Sequence, residues 1–260
     1  MSNPRIHPVP ALTDNYIWAY RIADTSTDVL LVDPGEAESI MNYCSDHGLV
    51  PRAILVTHNH LDHVGGIMEI QNHVQIPVYG PARTARFCSH FISLEDTQDF
   101  MIEGCRIRVI RVPGHTLDHL AYHIEKDQIL FCGDTLFSSG CGYLFEGTYE
   151  QMYASLKRLA SLPDETLCCC THEYTLANLD FALTVEPDNP HLHEKLALSR
   201  ALRSNQKPTL PTTLANEHLT NPFLRCHIPE VRRAAERHEG RSLDHPVEVF
   251  ASLRKWKNRF

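Results

Sequence analysis

Short apolar runs dominate the first two thirds of the chain and predict strands with helices between them. Runs rich in β-branched and aromatic residues, bounded by turn-forming residues, are typical of strands. They lie at residues 16–22, 28–35, 52–58, 106–112, 120–125, 128–133 and 166–171. Residues 36–48 and 67–73 show helical composition or spacing instead, and the first of these stretches ends at Gly48, a plausible helix C-cap. The first two thirds are therefore expected to be rich in strands, with interspersed helices.

Beyond residue 173 the pattern becomes helical. Helical spacing or helix-favouring composition is found at residues 173–187, 190–206, 230–240 and 246–260. Only short pieces within residues 208–214 remain as strand candidates. We therefore predict two domains, residues 1–173 and residues 174–260. No repeat, low-complexity stretch or flexible linker lies between them, so the two domains are expected to pack together.

The composition is ordinary for a soluble globular protein, with 43% apolar and 22% charged residues. A net charge of −8 argues against a nucleic-acid partner, because such binding relies on basic side chains that neutralise phosphates. The N-terminal residues lack the apolar core of a signal peptide, and no run of 18 apolar residues occurs. The sequence thus indicates a cytoplasmic protein with no membrane partner and no evident obligate protein partner.

The nine cysteines do not form a recognisable disulfide framework or cysteine-type zinc module, because their number is odd and no C-x-x-C pair occurs. Three of them are consecutive, at residues 168–170, inside a predicted strand. We interpret Cys168, Cys169 and Cys170 as small buried apolar residues rather than as a redox site.

The stretch THNHLDHVGG, residues 57–66, crowds four side chains of metal-binding type into six positions: His58, His60, Asp62 and His63. With this composition the pattern H-x-H-x-D-H would arise by chance in only about 0.4% of such chains. Residues two apart in an extended segment face the same side, so His58 and His60 can point at one ion. Asp62 and His63 follow where a helix is expected to begin, so their side chains turn elsewhere. Four ligands on two faces suit two ions better than one.

Three further residues of metal-binding type follow predicted strands in the same way: His115, Asp134 and His172. Together with the cluster they make five histidines and two aspartates, enough for two ions with positions left open for water. A carboxylate has two oxygens and can bridge two ions, so Asp134 is the natural bridging ligand. His119 and His123 lie in or beside a strand and are assigned structural roles, and His191 and His193 are expected at the surface.

At this point the sequence resembles the metallo-β-lactamase superfamily, and within it the glyoxalase II (hydroxyacylglutathione hydrolase) family. The superfamily motif T-H-x-H-x-D-H is matched by residues 57–63. The narrower resemblance rests on DNYIWAY, GHT, GDTLFSSGCGYLFEGT, THEYT and the C-terminal FASLRKWKNRF. These segments occur in order and span residues 10–260, so the resemblance covers nearly the whole chain.

The resemblance implies an α+β fold, a four-layer αββα sandwich followed by a C-terminal α-helical domain. It implies two divalent metal ions per chain, zinc being expected first and iron or manganese being alternatives. The first ion would be bound by His58, His60 and His115 and the second by Asp62, His63 and His172, with Asp134 bridging. The implied reaction is hydrolysis of S-D-lactoylglutathione to D-lactate and glutathione by a metal-bound hydroxide, which Asp62 would orient.

The resemblance also implies residues that bind glutathione. Tyr174 would lie near the glutathione, and Arg254 and Lys257 on the last helix would bind its glycyl carboxylate. Tyr143 stands where the family usually has a third basic residue, but its phenol can still donate a hydrogen bond. Phe145 stands where some members have tyrosine. The alternative for Arg254 and Lys257 is a solvated basic helix end.

Thioester hydrolysis suits these groups, because a thiolate leaves without a dedicated general acid. No Ser-His-Asp or Cys-His arrangement is evident, and the glycines around Cys141 suggest a segment too flexible for a nucleophile. The alternatives are a mono-iron glutathione persulfide dioxygenase of the same fold and a non-catalytic metal-binding protein. A β-lactamase is disfavoured because no secretion signal is present, and a tRNA-processing nuclease is disfavoured by the net charge and by the lack of an RNA-binding arm.

Overall fold

A computed structural model describes residues 5–260 of the chain. Two compact units are present. One takes in the chain up to Arg111 together with Asp118–Gly133, and the other takes in Val112–Leu117 and Asp134–Phe260. The domain boundary predicted between residues 173 and 174 stays a prediction. Residues 1–4, at the start of the predicted first domain, lie outside the described residues.

The first unit contains a six-stranded sheet in the order β1 to β6. Its strands are β1 (Ile6–Ala11), β2 (Asn15–Arg21), β3 (Asp28–Val32), β4 (Val50–Leu55), β5 (Val78–Gly80) and β6 (Phe91–Ser93). Strands β1 to β3 pair antiparallel, whereas β3 to β6 pair parallel. The parallel register aligns Val32 with Leu55, so the residues that follow β3 and β4 emerge at the same edge of the sheet.

Helices pack on one face of this sheet. The connections between its parallel strands are α1 (Glu38–Asp46), α2 (Leu61–Val64), α3 (Ile67–His73) and a 3-10 helix (Ala82–Phe87). Ile40 of α1 and Ile70 of α3 belong to the same apolar cluster as Leu31 and Ile54 of the sheet. The central strands β3 and β4 are buried on both faces, which explains why they read as continuous apolar runs.

A second sheet of the first unit is an antiparallel meander. Its strands are β7 (Asp99–Ile102), β8 (Cys105–Arg111), β9 (Leu120–Ile124) and β10 (Ile129–Gly133). It contacts the first sheet face to face: Tyr20 packs edge-on against Phe131 with ring centroids 6.3 Å apart, and Tyr79 stacks on Phe100 at 5.1 Å. The Tyr122 hydroxyl donates a hydrogen bond to the carbonyl oxygen of Val56. The site-bearing loop after β4 is therefore held from both sheets.

The second unit is mainly helical. Its strands are short: β11 (Leu136–Phe137), β12 (Gly140–Cys141), β13 (Leu167–Cys170) and β14 (Thr212–Thr213). Its helices are α4 (Tyr149–Ala160), α5 (Thr175–Val185), α6 (Pro190–Ser204), α7 (Leu214–Thr220), α8 (Pro229–Glu239) and α9 (Pro246–Lys257). Strands β11 and β12 pair as a hairpin. We refer to residues 134–143, which contain this hairpin, as the hairpin segment.

Most of the elements expected from the apolar pattern are present. Each predicted strand is found within two or three residues of its expected bounds, and the four helices predicted after residue 173 are all found. The three consecutive cysteines are buried in β13, as predicted, and all nine cysteines are free. The strands β1, β5, β6, β7, β11 and β12 and the helices α4 and α7 were not anticipated. Within residues 5–260, no helix has the length and apolar character needed to cross a membrane.

Candidate metal centre

The histidine cluster of the first unit lies in the loop after β4 and in the one-turn helix α2. His58 Nε2 and His60 Nδ1 are 3.0 Å apart, so the two side chains point at one place, as their spacing predicts. On α2, His63 Nε2 lies 3.3 Å from Asp62 Oδ2. His58 and His63 are fully buried, whereas the Asp62 side chain is 39% exposed. The cluster thus presents two pairs of ligand atoms, one pair in the loop and one pair on the helix.

Asp33, which the sequence reading missed, holds this cluster from behind. It follows β3 at the sheet edge where His58 follows β4. Its carboxylate accepts hydrogen bonds from the Thr57 amide at 2.7 Å and the Thr57 hydroxyl at 2.7 Å, and His63 Nδ1 lies 3.0 Å from its Oδ2. Because a carboxylate accepts, Nδ1 of His63 donates. A neutral His63 then presents the lone pair of Nε2 to Asp62 Oδ2, an arrangement that a cation between the two atoms would stabilise.

Backbone packing fixes the position of α2. A Cβ added to Gly35 would lie 2.1 Å from the Asp62 carbonyl oxygen, and one added to Gly65 would lie 2.5 Å from the Gly35 carbonyl oxygen. A side chain would clash at either position, so only glycine fits there. The loop after β3 and the helix are therefore in direct backbone contact. Asn15 donates from Nδ2 to Asp62 Oδ2 at 3.1 Å and thereby orients the carboxylate.

Two other histidines of this unit are buried, as expected for structural roles. His119 stacks on His58 with ring centroids 4.7 Å apart. Gly133 makes room for it, since a Cβ there would lie 2.8 Å from His119 Nε2. His123 lies in β9, where burial lowers the pKa of its imidazole. The structural assignment of both residues stays a prediction, and the surface positions predicted for His191 and His193 are confirmed.

The three potential ligands of the second unit converge on one oxygen. Asp134 Oδ2 lies 3.4 Å from His115 Nε2 and 3.5 Å from His172 Nε2. All three side chains are at least 90% buried. His115 Nδ1 donates to the carbonyl oxygen of Tyr143 at 2.7 Å, so a neutral His115 presents its Nε2 lone pair to the Asp134 carboxylate. As in the first unit, lone pairs facing a carboxylate favour a bound cation, and this donor set suits a divalent transition metal.

The hairpin segment brings Asp134 back to the residues that follow β12. A Cβ on Gly142 would lie 1.8 Å from the Asp134 carbonyl oxygen, and a Cβ on Gly140 would lie 2.5 Å from Asn178 Nδ2. The expectation of a flexible segment around Cys141 is therefore wrong, because these glycines permit close packing. Cys141 is itself buried, which raises the pKa of its thiol and disfavours a thiolate nucleophile.

Comparison with known proteins identifies the family. Residues 12–172 match the metallo-beta-lactamase superfamily, and residues 173–260 match the hydroxyacylglutathione hydrolase C-terminus. The hydroxyacylglutathione hydrolase of Alkalilimnicola ehrlichii is 49% identical over 252 residues, which cover 96% of this chain and 97% of that protein. The chain belongs to the hydroxyacylglutathione hydrolase family. The resemblance stated from the sequence motifs is confirmed.

Solved structures confirm the fold of this hydroxyacylglutathione hydrolase family member. BLEG-1 B3 metallo-beta-lactamase has a TM-score of 0.64 at 22% identity, covering 84% of this chain and 99% of that one. TTHA1623 in a di-iron-bound form has a TM-score of 0.59 at 28% identity, covering 84% of this chain and all of the other. The fold is α+β, the metallo-β-lactamase fold with a helical C-terminal domain, as the resemblance implied.

Aromatic side chains expected at the substrate lie beside the histidines of the second unit. Tyr174 stacks on His172 with ring centroids 4.7 Å apart and nearly parallel planes. Phe145 meets His115 edge-on at 5.2 Å, and Tyr143 packs against Phe145 at 4.8 Å. Tyr143, Phe145 and Tyr174 are 47%, 64% and 37% exposed, so each can still contact a ligand.

The two basic residues expected to bind substrate differ in their surroundings. Arg254 is buried; its Nη1 donates to the Cys141 carbonyl oxygen at 2.7 Å, and its guanidinium lies 5.3 Å from the Phe223 ring centroid. The alternative of a solvated helix end is therefore wrong for Arg254. Lys257 is half-buried and donates to the Ala177 carbonyl oxygen at 2.9 Å. Burial, followed by the charge of Arg254, lowers the pKa of the Lys257 amine to about 8.

Proposed function

We propose that this protein hydrolyses S-D-lactoylglutathione to D-lactate and glutathione. The observation that carries the proposal is the arrangement around Asp134, where two histidine Nε2 atoms face one carboxylate oxygen, in a chain of the hydroxyacylglutathione hydrolase family. The relative from Alkalilimnicola ehrlichii carries the name of this activity over almost the same length. The exposed aromatic side chains of Tyr143, Phe145 and Tyr174 can contact a thioester substrate, and the buried Arg254 can pair with a negative charge on it.

We assign two divalent metal ions to seven ligands. His58, His60 and His115 would bind the first ion, Asp62, His63 and His172 the second, and Asp134 would bridge them. The support is that both units present histidine lone pairs to a carboxylate and that the donors are imidazoles and carboxylates. Imidazole-rich sites commonly bind zinc, and iron and manganese are the alternatives; the di-iron-bound form of TTHA1623 supports iron.

When bound, the ions would make hydroxide available near neutral pH and polarise the thioester carbonyl. The chain supplies the orientation. Asn15 holds Asp62 so that its carboxylate can orient the hydroxide, and Asp33 fixes the ring of His63. Hydroxide adds to the carbonyl carbon, the carbon–sulfur bond breaks, and glutathione leaves as a thiolate whose conjugate acid has an ordinary pKa near 8.5, so no general acid is needed.

The same proposal gives the substrate contacts. Arg254 and Lys257 would bind the glycyl carboxylate of glutathione, and Tyr174 and Tyr143 would contact its backbone. Arg254 already uses Nη1 on the Cys141 carbonyl oxygen and Nε on Asn258, which leaves Nη2 for a carboxylate. We also propose a cytoplasmic location, which nine free cysteines favour.

Thioester hydrolysis and metal content measured on one purified sample test the proposal. We expect turnover of S-D-lactoylglutathione that disappears with a chelator and returns with zinc, iron or manganese. Oxygen uptake with glutathione persulfide serves as the control for the dioxygenase alternative. Oxygen uptake without thioester hydrolysis would show that the proposed reaction is wrong, and a metal-loaded sample inactive in both assays would support a non-catalytic protein.

A further inference from the structure

Glu217 is a carboxylate with no solvent exposure, and nothing in the proposed reaction uses it. Its Oε1 accepts hydrogen bonds from Lys195 Nζ at 2.6 Å and the Thr212 hydroxyl at 2.8 Å. Its Oε2 accepts from the Ser139 amide at 2.7 Å and from Asn221 Nδ2 at 2.9 Å. Each oxygen therefore has two donors, and Lys195 compensates the buried charge.

The two oxygens of Glu217 serve different parts of the second unit. Oε1 faces α6 and β14, whereas Oε2 faces Ser139 at the tip of the hairpin segment, 78 residues away in sequence. Ser139 has a positive φ of 55°, which is uncommon for a residue other than glycine. A charged acceptor on its amide stabilises this backbone conformation.

The remaining polar groups of the hairpin tip are held from the same side. Asn221 donates to the carbonyl oxygens of Phe137 at 3.2 Å and Gly140 at 2.9 Å, and the Ser139 hydroxyl contacts the Thr220 hydroxyl at 3.2 Å. Because Glu217 also accepts from Asn221, one carboxylate oxygen organises both the amide and the carbonyl groups of the tip. Glu217 thus contacts the hairpin tip directly, through the Ser139 amide, and indirectly, through Asn221.

The hairpin segment carries groups that the proposed reaction needs at both ends. Asp134 begins it, the Cys141 carbonyl oxygen anchors Arg254, and the Tyr143 carbonyl oxygen fixes the His115 ring. Moving the tip would move these groups together. Resting on the proposed function, we propose that Glu217 is a positioning residue that sets the hairpin segment for metal binding and thioester hydrolysis.

Glu217→Gln tests this assignment, because it keeps the shape and replaces one acceptor oxygen with a donor. We expect the side-chain oxygen of the new amide to face the ammonium of Lys195, which can only donate. The NH2 group then faces the Ser139 amide, which loses its hydrogen-bond acceptor. Loss of a hydrogen bond to a charged group predicts about tenfold or greater loss of kcat and of zinc affinity. Hydrogen exchange of residues 136–142, which needs neither substrate nor metal, should become faster.

Glu186→Gln is the matched control. Glu186 is also buried and pairs with Arg225 through hydrogen bonds of 2.9 and 2.8 Å, but it does not contact the hairpin segment. We expect this variant to lose thermal stability without changing kcat, zinc affinity or hairpin exchange. Equal changes in both variants would overturn the positioning role and leave Glu217 as a purely structural residue.

Thr220→Val gives a second test if Glu217→Gln does not fold, because it is isosteric and removes the hydroxyl that contacts Ser139 and Lys195 and donates to the Asn216 carbonyl oxygen. A smaller loss of kcat with faster hairpin exchange is expected, and unchanged exchange and kcat would overturn the proposal. A failure of the proposed function can be distinguished from a failure of this proposal. Wild-type protein without thioester turnover would refute the reaction, whereas hydrogen exchange of residues 136–142 and zinc affinity would still test the role of Glu217.

Discussion

Two histidines, His63 and His115, have an acceptor at Nδ1 that lies outside the metal-ligand motif. His63 donates to the Asp33 carboxylate and His115 donates to the Tyr143 carbonyl oxygen. These contacts set the tautomer that exposes Nε2 for metal binding. Candidate ligands could be proposed from spacing, whereas the groups that orient their rings could not, because a carboxylate after another strand or a backbone oxygen 28 residues away leaves no local signal.

The first residue-scale prediction concerns Asp134. Replacing it with Ala removes the carboxylate that His115 and His172 share, and two cations would then face each other without a common anion. We expect Asp134→Ala to lose at least one metal ion and nearly all activity, with circular dichroism unchanged. Elemental analysis and turnover check this, with the exposed Asp164 changed to Ala as control. Two retained ions and normal turnover in Asp134→Ala would refute the bridging role.

The second residue-scale prediction uses the lowered pKa of Lys257, about 8. Only the ammonium form binds a carboxylate strongly, so binding is strongest below pH 8 and weakens as the amine loses its proton. KM for S-D-lactoylglutathione should therefore rise by up to about tenfold between pH 7 and pH 9, while Lys257→Arg, which stays charged, should give a flatter profile. Initial rates corrected for spontaneous hydrolysis measure both. Identical profiles would show that Lys257 does not bind the substrate carboxylate.

At the scale of elements, the sequence predicts strands and helices well where one periodicity is unbroken. Helix α3 has the predicted bounds because its apolar residues recur at helical spacing. Strand β1 was missed because Pro8 and Pro10 interrupt its pattern, and such prolines are tolerated here because β1 is an edge strand. Helix α4 has a local signal that was overlooked, the capping box between Thr148 and Gln151.

The packing of helix α9 determines which of its basic residues are buried and which are exposed to solvent. The basic end of α9 suggested either a substrate site or a solvated helix end, and only the packing of Arg254 against Phe223 and the Cys141 carbonyl oxygen removes the second alternative for that residue. Such a contact joins residues 113 apart in sequence, so neither composition nor periodicity could predict it. The hairpin segment shows the same limit, since its glycines look flexible in sequence and are close-packed in the structure.

At the scale of the whole molecule, one compact unit combines two stretches that are separate in sequence. The short segment Val112–Leu117 groups with Asp134–Phe260, although it lies between strands of the first unit. Its contacts explain the grouping: the Gly147 amide donates to the Gly114 carbonyl oxygen at 3.0 Å, and His115 Nδ1 donates to the Tyr143 carbonyl oxygen. The sequence could predict His115 as a candidate ligand, but not that it lies in one compact unit with Asp134 and His172.

Metal removal is the prediction that involves the whole molecule, because each unit contains proposed metal ligands. Ions that bind only the folded chain stabilise it by about 2.7 kcal/mol each at a free concentration one hundred times Kd. Without the ions, the lone pair of His63 Nε2 faces the Asp62 carboxylate, and that of His115 Nε2 faces the Asp134 carboxylate. Both contacts are then repulsive unless a proton takes the place of the ion. We expect close to two ions per chain in fully active protein, and a melting temperature several degrees lower after chelation, restored by zinc. One tightly bound ion per chain at full activity would refute the binuclear assignment, and an unchanged melting temperature would show that these residues do not bind metal in the folded protein.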